Sequence, residues 1–252
     1  MISTKSIVLV LFIFLFMQNI LFAQHHVVIY GDESYPPYSY SENGQAKGIY
    51  VDILKLAFSK MTNYEVTIKM LPWKRALLYI KSGEAFALFP PYHTKQRLPW
   101  MSFSEPILQE EIVVFGKEQN LKGKTKWPED FYGHTIGMNR GFSPYALGGV
   151  AFGDAYQAKK IKTEEANTTE QNLKKLERDR FLFYINDKFL DIVPYPSIKK
   201  GMTVNMNFGH LGFTKHNDNY KFMTDFKHTF DQIVKELKES NEIEKIVDKY
   251  IN

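Results

Sequence analysis

One stretch decides the fold of this chain: Ala87-Leu-Phe-Pro-Pro-Tyr-His-Thr-Lys-Gln-Arg97. It continues an apolar run that begins at Ala85, and the run from Ala85 to Phe89 predicts a short strand. Two prolines then end the strand, because proline cannot donate a hydrogen bond to a central ladder. Arg97 follows just past the strand's carboxyl end, where ligands bind in open α/β sheets. Its guanidinium can grip a carboxylate with two parallel hydrogen bonds, and the alternative is an ordinary solvated surface ion pair.

The residues around Arg97 extend this pattern into a family resemblance. Thr94-x-x-Arg97 followed by Phe103-Ser-x-Pro106 resembles the first-lobe signature of periplasmic solute-binding proteins for polar amino acids, the extracellular solute-binding family three. The resemblance implies the type II periplasmic binding fold, an α/β fold of two lobes joined by two hinge crossings. Each lobe is expected to hold a central β-sheet flanked by helices. The resemblance also implies that Arg97 binds the ligand's α-carboxylate, with Thr94 beside it.

Strands and helices alternate strictly before Arg97. The predicted strands are Val27 to Tyr30, Tyr64 to Met70 and Ala85 to Phe89, and the predicted helices are Gly48 to Met61 and Pro72 to Gly83. A β-α-β-α-β unit favours a parallel sheet with its ligand edge at the strands' carboxyl ends. Tyr35, Trp73 and Arg97 all fall at that edge, so topology alone predicts that they share one cleft.

An aromatic loop follows the first strand and contains several candidate ligand contacts. The family resemblance assigns ligand contacts to Asp32 and Tyr35, and Tyr38 is an equal candidate for stacking on the ligand. It also makes Trp73, at the start of the second helix, one side of the pocket. The alternatives are structural, with the tyrosines plugging the space under the first helix and Trp73 wedged between helix and sheet.

A second lobe is predicted to begin with the strand Thr135 to Met138. The loop after it contains Asn139, Arg140 and Ser143, and Ser143-Pro144 has the form of a helix N-cap followed by proline at the first helical position. Free N–H groups at a helix N-terminus can receive an anionic group of a ligand. The alternative for this loop is an ordinary capped helix.

Asp187 follows the predicted strand Phe181 to Ile185. The family resemblance implies that an Asp at this place binds the ligand's ammonium group. The alternative is that Asp187 only caps a following helix from Lys188 to Val193.

Two residues depart from the amino-acid-binding pattern. Pro90 and Tyr92 stand where the family carries a glycine and a threonine that hold the ligand. Proline has no N–H to donate, and a tyrosine fills much of the pocket, so we expect a ligand that is smaller, aromatic or not an α-amino acid. Where the family often has a basic residue after the second lobe's first strand, this chain has Asn139.

The amino-terminal segment resembles a secretory signal. An apolar run from Ile7 to Phe16 follows Lys5, and the small residue Ala23 suits cleavage, so residues 1–23 are predicted to be a signal peptide; the alternative is an uncleaved anchor. The chain contains no cysteine, so it can carry neither a disulfide nor a lipid-modified cysteine. A soluble protein of the periplasm is therefore expected.

Composition excludes several other classes of function. The formal net charge of +4 is small and dispersed, which argues against a nucleic-acid partner. The seven histidines lack metal-ligand spacing, and no glycine-rich phosphate loop follows a strand, so neither a metal nor a cofactor is expected.

The expected organisation is two lobes closing on a small polar ligand. Lobe 1 is predicted to comprise residues 24–115 and 208–252, lobe 2 residues 116–207, and the hinge to lie near Gly116 and near 205–209. The family resemblance implies a monomeric binding protein with no enzymatic activity, whose partner is an ABC permease or the outer domain of a sensor. A rarer alternative is a periplasmic dehydratase or lyase of the same fold, with Glu33 as proton donor.

Overall fold

A computed structural model describes residues 24–216, 218 and 220–251, and the predicted signal peptide lies outside the described residues. The strands are β1 (His25–Asp32), β2 (Ser34–Tyr35), β3 (Ser39–Glu42), β4 (Gln45–Lys47), β5 (Tyr64–Leu71), β6 (Ala87–Phe89), β7 (Met101–Phe103), β8 (Leu108–Lys117), β9 (Thr135–Asn139), β10 (Lys162–Ala166), β11 (Phe183–Asp187), β12 (Ile198–Gly209) and β13 (Gly212–Thr214). The helices are α1 (Ile49–Ser59), α2 (Trp73–Ser82), α3 (Glu118–Leu121), α4 (Pro144–Gln157), α5 (Thr169–Glu177), α6 (Met223–Glu239) and α7 (Glu242–Ile251), with a 3₁₀ turn at Glu129–Phe131.

The first lobe is built on a sheet with the strand order β5-β1-β6-β13-β7. β1 pairs in parallel with β5 and with β6, so the predicted β-α-β-α-β unit is confirmed. α2 ends as predicted, with Gly83 in the left-handed conformation at φ 81°, which glycine adopts without steric cost. The carboxyl ends of β1, β5 and β6 therefore share one edge, and the residues that follow them face the second lobe.

The C-terminal helices close the core of the first lobe. Phe226 and Phe230 of α6 are fully buried against α1, where both rings lie near that of Phe58. Apolar residues at helical spacing produce this packing, because they form one continuous stripe facing the sheet. Within the described residues, no helix has the length and apolar character needed to span a bilayer.

The second lobe is built on a sheet with the strand order β10-β9-β11-β8-β12. Here β9 pairs in parallel with β10 and β11, whereas β8 runs antiparallel to β11 and β12. Its core contains the fully buried rings of Phe131, Phe152 and Phe183. In each lobe four strands thus run in one direction and a single strand, β13 in the first lobe and β8 in the second, runs against them, and the α/β fold of two lobes is confirmed.

The first crossing between the lobes lies elsewhere than predicted, whereas the second lies close to the predicted residues 205–209. β8 already begins at Leu108 and pairs with β12 from there, and Gly116 lies inside the second sheet, opposite Phe183 and Lys199. The chain therefore leaves the first lobe between residues 104 and 108 and returns between residues 209 and 212. The polar run after Gly116 was a misleading signal, because polarity marks solvent exposure and does not identify which strands pair.

The predicted helix from Lys188 to Val193 is also wrong, because the structure has only turns there. The Asp187 carboxylate accepts a hydrogen bond from the Phe189 N–H at 2.7 Å, and that of Asp191 accepts one from the Val193 N–H at 2.9 Å. Such local bonds satisfy the backbone without a helix.

Candidate ligand-binding site

A small cavity lies between the two lobes, at the edge predicted from the topology. It offers about 20 Å³ to the centre of a water molecule. Its lining comprises Asp32, Tyr35, Trp73, Pro90, Tyr92 and Arg97 from the first lobe and Phe142, Ser143, Ala146 and Leu147 from the second. Six of these lining residues are ligand-binding candidates from the sequence. The other four are Pro90, Phe142, Ala146 and Leu147.

Arg97 supplies a buried positive charge to this cavity. A turn after β6 holds it, since its N–H donates to the Thr94 carbonyl at 3.0 Å. Its Nη1 donates to the Tyr92 carbonyl at 2.8 Å, and the guanidinium lies 5.6 Å from the centre of the Trp73 ring. The side chain forms no salt bridge with any residue in the described part of the chain. Burial lowers the pKa of Arg97 to about 10, so the group stays charged at neutral pH and attracts an anion.

Asp32 supplies an acidic group to the same cavity. It is the last residue of β1, and its Oδ1 accepts a hydrogen bond from the Ser34 N–H at 3.0 Å. Burial raises the pKa of Asp32 to about 7, an effect that the Ser34 bond only partly offsets. Near neutral pH this carboxyl group can therefore either donate or accept a proton.

The second lobe closes the cavity with the loop before α4. Ser143 caps α4 as predicted, accepting a hydrogen bond from the Ala146 N–H at 3.4 Å. The Phe142 ring meets the Tyr35 ring edge-on at 5.4 Å and the Trp73 ring at 6.5 Å. The rings from the two lobes therefore meet across the cleft.

Asn139 binds the lobes together instead of lining the cavity. Its Nδ2 donates to the Ser34 carbonyl of the first lobe at 3.3 Å and to the Thr169 hydroxyl at 3.0 Å. Its Oδ1 accepts from Asn172 at 2.8 Å and from Tyr184 at 2.9 Å. Because these bonds occupy both the nitrogen and the oxygen of the side-chain amide, Asn139 has a structural role in this closed arrangement.

Arg140 lies outside the cavity. Its side chain is 53% exposed, and its Nε is 3.9 Å from the Glu165 carboxylate. The predicted loop was correct, but successive residues in it point in different directions, and Arg140 turns toward solvent.

Thr94 and Tyr38 are buried beside the cavity without lining it. Neither the Thr94 hydroxyl nor the Tyr38 hydroxyl has a hydrogen-bond partner among the described residues. The Tyr38 ring stacks on that of Tyr35 at 5.2 Å and so supports a cavity wall from behind.

Asp187 lies behind the same wall and does not line the cavity. Its Oδ2 is buried and makes no hydrogen bond within the described residues, although the nearby Tyr38 hydroxyl favours the charged form. Burial dominates and raises the pKa of Asp187 to about 7. The acid predicted to meet a ligand ammonium thus lies beside Tyr38 and outside the cavity lining that includes Arg97.

Glu110 is the residue that sequence reasoning missed. It is 1% exposed on β8 and accepts hydrogen bonds from the hydroxyls of Tyr35 and Tyr92 at Oε2 and of Tyr50 at Oε1, with 2.5 Å between Tyr35 and Oε2. Burial and the charge of Asp187 raise the pKa of Glu110 to about 8, although the three tyrosine donors lower it. One feature of the sequence could have indicated its burial. Glu110 alternates with Ile112 and Val114 along one strand, so its side chain lies on the same buried face as theirs.

Because Gly209 has no side chain, the Tyr50 hydroxyl and the Glu110 carboxylate can occupy the space beside it. A Cβ atom added there would lie 1.8 Å from the Tyr50 hydroxyl and 2.9 Å from Glu110 Oε1. We expect Gly209→Ala to lower the free energy of unfolding by about 2–3 kcal/mol, as overpacking in a core does. Urea denaturation measures this change in the free energy of unfolding. Gly116→Ala on β8 is the matched control and should cost less, since the added Cβ would lie 3.0 Å from the Leu182 carbonyl oxygen and otherwise meet only the flexible Leu121 side chain. Equal stability of Gly209→Ala and the unmodified protein would contradict the packing described.

The whole chain can be compared with known protein families. The sequence profile of the bacterial extracellular solute-binding proteins, family 3, matches residues 27–252. The chain belongs to this family. The match covers both lobes and the C-terminal helices, so the resemblance first seen around Arg97 extends over the whole described chain.

Solved structures share the fold at low sequence identity. The substrate-binding protein of an amino acid ABC transporter is 20% identical with a TM-score of 0.70, covering 89% of this chain and 98% of that chain. The arginine-, lysine-, histidine-binding protein ArtJ from Geobacillus stearothermophilus is 19% identical with a TM-score of 0.70, covering 89% and 94%. A histidine kinase sensor domain with similarity to periplasmic binding proteins is 15% identical with a TM-score of 0.75, covering 91% and 97%. No curated protein matches the chain. The predicted type II periplasmic binding fold is confirmed.

Proposed function

We propose that this protein captures a small, polar, carboxylate-bearing ligand similar to an amino acid and presents it to an ABC transporter. The observation that carries the proposal is Arg97, a buried cation that faces the interlobe cavity without an acidic partner among the described residues. A buried charge is costly unless it is paired, so the site gains most from an anionic ligand. The protein is proposed to act in the periplasm and to catalyse no reaction.

Each lining group has a proposed role toward such a ligand. Arg97 binds the carboxylate, and Thr94 with its unpartnered hydroxyl lies three residues away to assist. Trp73 and Tyr35 sandwich the ligand's apolar part, and Ser143 contributes from the second lobe. Asp32 receives an ammonium group in the closed arrangement, whereas Asp187 would be reached only if the tyrosine rings moved.

Catalysis has little support in this site. Glu33, the proton donor of the dehydratase alternative, does not line the cavity. A sensing role keeps some support, because one structural neighbour is the sensor domain of a histidine kinase. Co-purification with a permease or with a sensor would distinguish transport from signalling.

Ligand binding is expected to make the protein more compact. Because a ligand that touches both lobes binds the closed state better than the open one, it shifts the population toward closure. Calorimetry with amino acids and organic acids should identify a ligand, and at 100 times its Kd it should stabilise the fold by about 2.7 kcal/mol. X-ray scattering should show a smaller radius of gyration. Tight binding with no compaction would contradict closure and leave a rigid pocket instead.

A further inference from the structure

Two tyrosine rings form part of the wall of this small cavity. Tyr35 and Tyr92 both line it, and about 20 Å³ remains for the centre of a water molecule. A single water needs about 10–15 Å³ by this measure, so little more than one water fits between the rings and Arg97. Every larger ligand must therefore gain its space by lobe opening or by movement of these rings.

Glu110 holds both rings in place. The Tyr35 and Tyr92 hydroxyls lie 2.9 Å apart, and both donate to Oε2 of Glu110. Tyr50 occupies Oε1 from the opposite side, on α1. Burial and the nearby Glu110 charge raise the pKa of these three hydroxyls well above their ordinary value, so they remain donors.

The elements behind these side chains tie them to both lobes. Glu110 lies two residues inside β8, at the crossing between the lobes, and faces Asn207 of β12. Tyr92 is bridged to Gly209 through the backbone, and Tyr35 is stacked on Tyr38. Swinging either ring away would remove one of the two donors to Glu110 Oε2 and would take the buried hydroxyl of that ring from its partner, which is unfavourable in a buried site.

We infer that Glu110 is a positioning residue that fixes Tyr35 and Tyr92 as rigid walls, so that the cleft selects short carboxylate ligands over long ones. The inference rests on the proposed function, because it assumes that the carboxylate binds at Arg97. It goes beyond that function because it makes a residue outside the cavity lining responsible for the size of ligand that the cleft accepts.

The test is a ratio of affinities measured by calorimetry. Acetate and glycine serve as short probes, and glutamine and arginine as long ones, all with a carboxylate for Arg97. We expect the unmodified protein to bind the better short probe at least about 10-fold more tightly than the better long one. Glu110→Ala frees both rings, so this preference should fall about 10-fold, and Tyr92→Ala should reduce it similarly by removing a wall.

Conservative variants separate positioning from general structural damage. Glu110→Gln has the shape of the protonated acid and keeps an acceptor, so it should retain the size preference within about threefold. Tyr50→Phe is the matched control, because it removes a hydrogen bond to Glu110 without changing the cavity lining, and it should also retain the preference. If Glu110→Ala fails to fold, the double variant Tyr35→Phe with Tyr92→Phe removes the same two hydrogen bonds and should lower the ratio.

The outcomes distinguish this inference from the proposed function. If Glu110→Ala, or the double variant in its place, weakens all four probes by the same factor, Glu110 is only structural and the inference fails. If the unmodified protein binds arginine as tightly as glycine, and both require Arg97, the inference fails while the proposed function stands. If no probe binds the unmodified protein or Tyr92→Ala, both are overturned.

Discussion

Replacing Arg97 with alanine is expected to weaken ligand binding by about 100-fold or more. Arg97 is 6% exposed, and its charge faces the interlobe cavity without an acidic partner in the described part of the chain. Truncating one partner of a buried, hydrogen-bonded charge pair costs about 2–5 kcal/mol, and each 1.4 kcal/mol is a factor of about 10 in Kd. Calorimetry with the ligand identified for the unmodified protein measures the change.

Two further variants make this result specific. Arg97→Lys keeps the charge but loses the planar fork, so we expect it to recover only part of the affinity. Arg75→Ala is the matched control, because Arg75 is exposed on α2 and its loss changes the net charge equally. The fold should survive Arg97→Ala, since the guanidinium is a buried charge that forms no ion pair with described residues. Unchanged affinity in Arg97→Ala would contradict the assignment of Arg97 as the residue that binds the ligand's carboxylate.

The second large effect is expected in the pH dependence of stability. The pKa values of Asp32 and Asp187 are raised to about 7 and that of Glu110 to about 8, in each case mainly by burial. Between the ordinary carboxyl pKa near 4 and these values, the folded protein binds more protons than the unfolded chain. The stabilisation is therefore complete below about pH 4 and is lost as the pH rises through about 7 to 8.

Unfolding in urea at pH values from 5 to 9 measures this effect. The free energy of unfolding should fall by several kcal/mol over that range, because a pKa of about 7 in place of 3.8 makes Asp32 alone lose about 2.7 kcal/mol between pH 5 and pH 9. Glu110→Gln cannot ionise, so its stability should depend less steeply on pH. Glu118→Gln makes the same charge change at an exposed position and is the control. A stability that rises from pH 5 to 8, or an equal slope in Glu110→Gln, would contradict the burial of an ionisable Glu110.

The sequence alone determined the local elements and the chemistry at their ends. Alternating strands and helices before Arg97 predicted the parallel sheet of the first lobe, and Ser143-Pro144 predicted the start of α4. These succeeded because hydrophobic periodicity and capping are properties of neighbouring residues. Topology then brought Tyr35, Trp73 and Arg97 to one cavity, since parallel strands end at one edge.

Only the tertiary structure decided which distant groups meet. The first crossing was misplaced because β8 is defined by its pairing with β11 and β12, which lie roughly 70 to 100 residues further along the chain. The alternation of β8 indicated that Glu110 is buried but not which groups it meets, since its three tyrosine partners come from separate elements of the first lobe. Asp187 was expected to follow a strand and is instead the last residue of β11, and it does not line the cavity. Local patterns specify the direction and the exposed face of each element, whereas contacts between buried polar groups depend on how those elements pack in three dimensions.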